Sequence, residues 1–156
     1  ELKSNFHLIA YALIGVGILM IVVENKFKGM KDIYNSTKFD FLTLSFMQVF
    51  SLIRGVSRSG ILIISGTVLG FNPENTVKIA FLMSVPVMFV ISVFGIYSEL
   101  ENLREMNIVL TLIGFIVTFI SSYYTIEFLI KFISKNSFIP FAIYRIILGV
   151  IILILL

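Results

Sequence analysis

The stretch Phe41-Leu-Thr-Leu-Ser-Phe-Met-Gln-Val-Phe-Ser-Leu-Ile-Arg54-Gly-Val-Ser-Arg-Ser-Gly60-Ile-Leu-Ile-Ile-Ser-Gly-Thr-Val-Leu-Gly-Phe71 is apolar over 13 residues (41–53), polar and glycine-bearing over Arg54–Gly60, and apolar again over 11 (61–71). A bilayer core of roughly 30 Å needs about 20 helical residues, so neither arm can cross it, whereas arms of about 10–14 residues suit a re-entrant segment. A single crossing by the whole stretch would leave Arg54 and Arg58 near the midplane and invert every later loop. A helical hairpin over 41–71, entering and leaving on one side, is therefore expected.

Three uninterrupted apolar runs, 6–23, 79–97 and 106–126, contain no charged residue, and a fourth, 138–156, contains only Arg145. Each is long enough to span. The composition agrees: 58% hydrophobic and 13% charged residues, against about 45–50% and 25% in soluble domains. A water-soluble globule is excluded. Because an isolated strand in lipid leaves its backbone unpaired, the aromatic and β-branched residues of these runs must be helical. The expected architecture is all-α and integral to the membrane: four transmembrane helices plus one re-entrant hairpin in a single domain, residues 1–156.

Charge places the ends. The loop 24–40 carries Lys26, Lys28, Lys31 and Lys38, and the loop 127–137 carries Lys131 and Lys135; both read as cytoplasmic, while the loop with Glu99, Glu101, Arg104 and Glu105 reads as external and puts the C-terminus outside. This arrangement accounts for the net charge of +3 without a nucleic-acid partner. With no cysteine, disulfides and thiolate chemistry drop out. Asp40 is the expected cap of a helix from Phe41, Asn72-Pro73-Glu74 opens the next helix, and Pro86 is expected to kink it. The chain starts at Glu1, and upstream sequence is expected.

Chemistry concentrates in the polar turn. Non-helical backbone at membrane depth survives only where protein buries it or water lines it. Gly55 and Gly60 allow close approaches, Ser57 and Ser59 offer hydroxyls, and Arg58 offers five donors in a fork that matches phosphate or carboxylate. Ser59 is the expected cap of a half-helix beginning at Gly60, which would aim its positive end at the same point as Arg58. The turn reads as an oxyanion site. The alternative, two positive-inside charges in an ordinary short loop, must meet the cost of arginine in lipid, about 2.5–3.5 kcal/mol each.

Gln48-Val-Phe-Ser-Leu-Ile-Arg-Gly-Val-Ser-Arg-Ser-Gly60 resembles the second signature of the undecaprenyl pyrophosphate phosphatase family of bacitracin-resistance type, usually Pro-Gly-x-Ser-Arg-Ser-Gly. Leu69-Gly-Phe-Asn-Pro-Glu74, Ala80-Phe-Leu-Met-Ser-Val-Pro86 and Tyr144-Arg-Ile-Ile-Leu-Gly149 resemble it at matching places. The resemblance implies half of an inverted-repeat fold in the cell membrane, hydrolysis of a polyprenyl diphosphate to its monophosphate for reuse of the lipid carrier in envelope glycan (peptidoglycan) synthesis, and assistance by Mg2+ or Ca2+. It assigns Ser57, Arg58 and Ser59 to catalysis on the diphosphate, and Gly55, Gly60, Arg54 and Gln48 to substrate binding. Metal ligands are expected in an acidic upstream repeat and none is assigned here. The partners expected are the polyprenyl lipid, the bilayer and a second copy of the chain.

The chain departs from the pattern at Arg54, where the family has proline, and at Leu62, where it usually has threonine. Arg54 either reinforces diphosphate binding or snorkels to the surface. Glu101 and Glu105 have the family's acidic spacing but read as a solvated loop. His7 reads as interfacial, and Arg145 as a structural partner of hairpin carbonyls or of a carboxylate. Gly15, Gly17, Gly95, Gly114, Gly149, Ser121 and Ser122 read as helix-packing residues. An anion or lipid-phosphate transporter built from broken half-helices, or a non-catalytic lipid-diphosphate-binding protein, are the alternative functions.

Overall fold

In a computed structural model the described residues are 2–99 and 107–155, so Glu101, Arg104 and Glu105 lie outside them. Among the described residues six α-helices follow in order: α1 Leu2–Lys26, α2 Lys38–Gln48, α3 Arg58–Val68, α4 Pro73–Ser98, α5 Ile108–Lys135 and α6 Ile139–Leu155. Short 3-10 turns at Ile33–Asn35 and Val49–Leu52 link them. Among the described residues the only β pairing is one bridge, Lys31 with Phe71. The protein is all-helical, and α1, α4 and α5 are long and apolar enough to cross a membrane. The 17 residues of α6 extend about 25 Å.

Several helix ends differ from the sequence reading, each for a local reason. Helix α2 starts at Lys38, capped by Thr37 rather than Asp40; Asp40 is the third residue of a capping box, its carboxylate accepting from Thr37 N at 2.7 Å while Thr37 Oγ1 accepts from Asp40 N at 3.3 Å. Residues 127–135, expected in a loop, continue α5, where Glu127 and Lys131 pair one turn apart. Asn72, Pro73 and Glu74 open α4 as expected, with Asn72 Oδ1 accepting from Asn75 N at 2.8 Å, and the helix runs on past Pro86.

Helices α1 and α6 form the most extensive pairing, antiparallel, through the same spacing in each: Ala10, Ile14, Gly17 and Ala142, Ile146, Gly149. A Cβ on Gly17 would lie 2.7 Å from Ile146 Cγ1 and 2.9 Å from the Ala142 oxygen; one on Gly149 would lie 2.7 Å from Ile14 Cγ1 and 2.9 Å from the Ala10 oxygen. Each helix thus lends an isoleucine to the other's glycine, the close approach that holds helices together without a hydrophobic drive. A Cβ on Gly15, Gly95 or Gly114 would meet open space, and Ser121 and Ser122 are exposed, so among the described residues none of these five positions needs a small side chain for a close helix approach.

Helix α3 is the central element, with Ile61, Leu62, Ile63 and Ile64 buried against α1, α2 and α4. Its end and the start of α2 meet at one strap: Lys31 N donates to Gly70 O at 2.9 Å, Asn72 N to Lys31 O at 3.1 Å, and Lys31 Nζ reaches Asp40 Oδ2 at 2.6 Å. The start of α2 and the end of α3 therefore lie together. At the same end of the molecule Glu24 Oε1 accepts from Phe138 N at 2.9 Å, joining the end of α1 to the start of α6.

Candidate functional site

The hairpin's inner turn begins where α2 gives way to the 3-10 turn Val49–Leu52, and its path is set by Gly55. With φ +93° Gly55 occupies the left-handed region, and a Cβ there would lie 2.7 Å from Ile9 O and 2.9 Å from Ala12 Cβ. Torsion and space both require glycine. Ile9 and Ala12 lie about 26 and 21 Å along α1 from Lys26, so the turn lies against the first half of α1, far from the end where α2 and α3 meet Lys31. There the Gly55 carbonyl accepts from Arg145 Nη2 at 3.1 Å, the carbonyl pairing expected for that arginine.

Helix α3 starts two residues earlier than expected. Ser57, not Ser59, is its cap: Ser57 Oγ accepts from Gly60 N at 3.1 Å, and Ile61 N bonds to Ser57 O at 3.0 Å. Ser59 is in the first turn, its Oγ 3.0 Å from Ser57 Oγ. This hydroxyl pair and Gly60 line a cavity of about 200 Å3 together with Arg145, Tyr144, Phe81 and Ile133. Arg145 Nε is buried and has no hydrogen-bond partner among the described residues. A guanidinium, two hydroxyls and the positive end of α3 thus converge on one small space, an arrangement suited to a phosphoryl group.

Arg58 does not join them. Its Nη1 contacts Met88 Sδ on α4 at 2.7 Å, the only hydrogen-bond partner it has among the described residues, and its Nε is buried and unpartnered. A thioether is a weak acceptor, and no carboxylate pairs with Arg58 among the described residues. Gln48, 9% exposed, is on this second side, its Nε2 without a partner among the described residues. Arg54 is exposed. The residues selected from the sequence therefore divide: Ser57, Ser59 and Gly60 face one cavity, Gln48 and Arg58 face another opening, and Gly55 shapes the turn between. Arg145 supplies the cation beside the serines that Arg58 was expected to supply. The signal for it was present as the single charge in an apolar run. His7 is half-buried with Nδ1 unpartnered and its ring beside Tyr11.

Among the described residues no three His, Asp or Glu side chains come together. The cavity's donor set, one cation and neutral hydroxyls, suits an anion and does not fit a divalent metal.

Residues 1–151 match the family described as bacitracin resistance protein BacA. Among curated proteins, the chain is 34% identical over 155 residues to an undecaprenyl-diphosphatase of Sulfurihydrogenibium, covering 96% of this chain and 62% of the relative. It is 41% identical over 146 residues to that of Campylobacter jejuni, covering 88% and 53%, and 37% identical over 150 residues to that of Methanococcus aeolicus, covering 94% and 59%. The chain spans between 53% and 62% of the length of these relatives.

Proposed function

The chain belongs to the bacitracin resistance protein BacA family, and from that premise we propose that it serves hydrolysis of a polyprenyl, undecaprenyl-type diphosphate to the monophosphate, recycling a lipid carrier for envelope glycan synthesis. Relatives that bear the name undecaprenyl-diphosphatase support the substrate class. The observation that carries the reading is the convergence of Arg145, Ser57 and Ser59 on one cavity at the start of α3. Water adds to the terminal phosphorus, the bridging P–O bond breaks, and inorganic phosphate leaves with the prenyl monophosphate as the other product. In such a step little covalent work falls to the protein; positioning and neutralisation of the phosphoryl oxygens dominate. Ser57 and Ser59 would donate hydrogen bonds to those oxygens, Arg145 and Arg58 would supply the charge from two sides, and Gly55 and Gly60 would keep the backbone close. Arg54, exposed at the turn, is assigned to the approach of the diphosphate.

The same proposal places four spans, α1, α4, α5 and α6, and the α2–α3 hairpin in the cell membrane as one multi-pass domain. The shared strap at the outer ends of α2 and α3 supports the hairpin, and the Glu24 to Phe138 bond supports antiparallel α1 and α6. A requirement for Mg2+ or Ca2+ belongs to the proposal as a property to be assayed, and no step is routed through the metal.

The test is phosphate release from a C15 or longer prenyl diphosphate by the purified chain in detergent, with and without Mg2+ or Ca2+, beside saturable binding of a non-hydrolysable analogue. Release or binding that is lost in Arg58→Ala and Arg145→Met supports the reading. Absence of both release and saturable binding in the unsubstituted chain overturns it.

A further inference from the structure

Phe138 holds a double place. It is buried and forms part of the wall of the serine cavity, beside Phe141, Tyr144 and Arg145 from α6 and Met20 from α1. Its carbonyl accepts from Phe141 N at 3.0 Å and from Ala142 N at 3.1 Å, so it moves with α6 as one body. Its own N–H donates to Glu24 Oε1 at 2.9 Å, across 114 residues, and among the described residues this is the one hydrogen bond between α1 and the α6 segment. The need to cap α6 does not explain that bond by itself. Ser137 Oγ already accepts from Ile139 N at 2.9 Å, and a short local side chain is the usual device at a helix start. Glu24 instead reaches across from another helix and leaves its second oxygen, Oε2, buried without a partner among the described residues, which is unfavourable. What the bond adds is direction. The Gly17–Ile146 and Gly149–Ile14 contacts are apolar and can repack, whereas a hydrogen bond holds over only about 2.7–3.2 Å. A slide of α6 by one residue's rise, about 1.5 Å, would break the bond to Glu24 and also the bond from Arg145 Nη2 to Gly55 O, which belongs to a residue about 10 Å further along the helix.

We propose that Glu24 is a positioning residue: through the Phe138 N–H it fixes the seat of α6 on α1, and so keeps the Arg145 guanidinium on Gly55 and beside Ser57 and Ser59. Glu24 is not itself in the cavity wall. The inference rests on the function proposed above, since the cavity so arranged is the phosphoryl site, and it adds to that site a residue one turn beyond Met20 on α1. Arg145 is then set from two ends: Gly55 holds the guanidinium, and Glu24 holds the helix that carries it.

Two readouts on the detergent-purified chain test this, one of them independent of any ligand. With isotope-labelled arginine, NMR separates the guanidinium groups of the four arginines; the Arg145 signal is the one missing from Arg145→Met, and a guanidinium tied to a carbonyl turns slowly and shows distinct Nη signals. Glu24→Leu, of similar volume but with no acceptor, is expected to merge those signals and to weaken binding of a non-hydrolysable prenyl diphosphate analogue by about tenfold. Glu24→Gln, which keeps an acceptor, should restore the distinct signals and most of the affinity. In the Arg145→Met background Glu24→Leu should change affinity by less than about twofold, because the group through which it acts is gone. Asp40→Asn, which loosens the strap, should lower the melting temperature and leave the Arg145 signals as they are. If Glu24→Leu does not fold, Glu24→Asp, which withdraws the carboxylate by one methylene, takes its place. Unchanged Arg145 signals in the folded Glu24 variant overturn the proposal, and so does an equal loss of affinity with and without Arg145, which would mark Glu24 as a general stabiliser. Absence of saturable binding in the unsubstituted chain overturns the function proposed above, and the Arg145 signals then decide by themselves whether Glu24 seats that arginine.

Discussion

Arg145 on α6 and Gly55 in the hairpin turn, 90 residues apart, are joined by a hydrogen bond of 3.1 Å from the guanidinium Nη2 to the carbonyl oxygen. Gly55 can present that oxygen because its φ of +93° turns the chain against α1, which in turn packs face to face on α6. The contact therefore does two things: it occupies a carbonyl that the irregular turn leaves without a helical donor, and it holds the remaining face of the guanidinium beside Ser57 and Ser59.

Substitution of Arg145 by methionine should lower affinity for a prenyl diphosphate by at least about tenfold, because a charge-assisted contact contributes on the order of 1.5–3 kcal/mol. Lysine should recover charge but not the fork that bonds Gly55 and the ligand together, so Arg145→Lys is expected between the two. Titration with a non-hydrolysable analogue measures both.

The two serines should separate by readout. Ser57→Ala removes the cap of α3 and should lower stability by about 1 kcal/mol, whereas Ser57→Asp keeps the cap. Ser59→Ala removes no cap and should leave the melting temperature close to that of the unsubstituted chain while weakening ligand binding. Equal loss of stability in Ser57→Ala and Ser59→Ala would contradict this assignment.

At the α1–α6 interface, Gly17→Val and Gly149→Val drive a side chain into Ile146 and Ile14 and against carbonyls 2.9 Å from the would-be Cβ. Each should destabilise by about 1–3 kcal/mol. Gly114→Val, with nothing within 4 Å, should change stability little. Thermal melting of the three in the same detergent makes the comparison.

Acid should loosen the strap. Burial acts to raise the Asp40 pKa, but the Lys31 ammonium and the Thr37 backbone and hydroxyl donors outweigh it, and the carboxyl lies below its ordinary value. A carboxyl with a lowered folded pKa contributes stability that is complete above its unfolded pKa, roughly 4, and is lost as pH falls through the folded value. Melting temperature should therefore fall with an Asp40-dependent component below about pH 4, and Asp40→Asn should remove that component while being less stable at neutral pH.

Much of the fold is legible in residue order because lipid leaves a chain few options. Runs of apolar residues long enough to span must be helical, and the short arms around Arg54–Gly60 are the helices α2 and α3, whose outer ends meet at Lys31. Helix ends were less legible where two capping residues stand close together: Thr37 and Asp40 both belong to one box, and Ser57 and Ser59 both carry hydroxyls, so composition does not say which one caps. The pairing of α1 with α6 was also hidden, since Ala-x-x-x-Ile-x-x-Gly occurs in both helices but spacing alone does not say which face meets which.

The candidate site divides in the same way. From residue order alone follow two short apolar arms joined by a polar, glycine-bearing turn, a consequence of segment length measured against bilayer thickness, and the expectation of an oxyanion set at Ser57-Arg58-Ser59. Only the tertiary structure sends Arg58 toward Met88 and Gln48 and brings Arg145 to the serines. Successive residues at a helix start point about 100° apart, so neighbours in sequence need not share a cavity, and the direction each takes depends on the helices packed around α3.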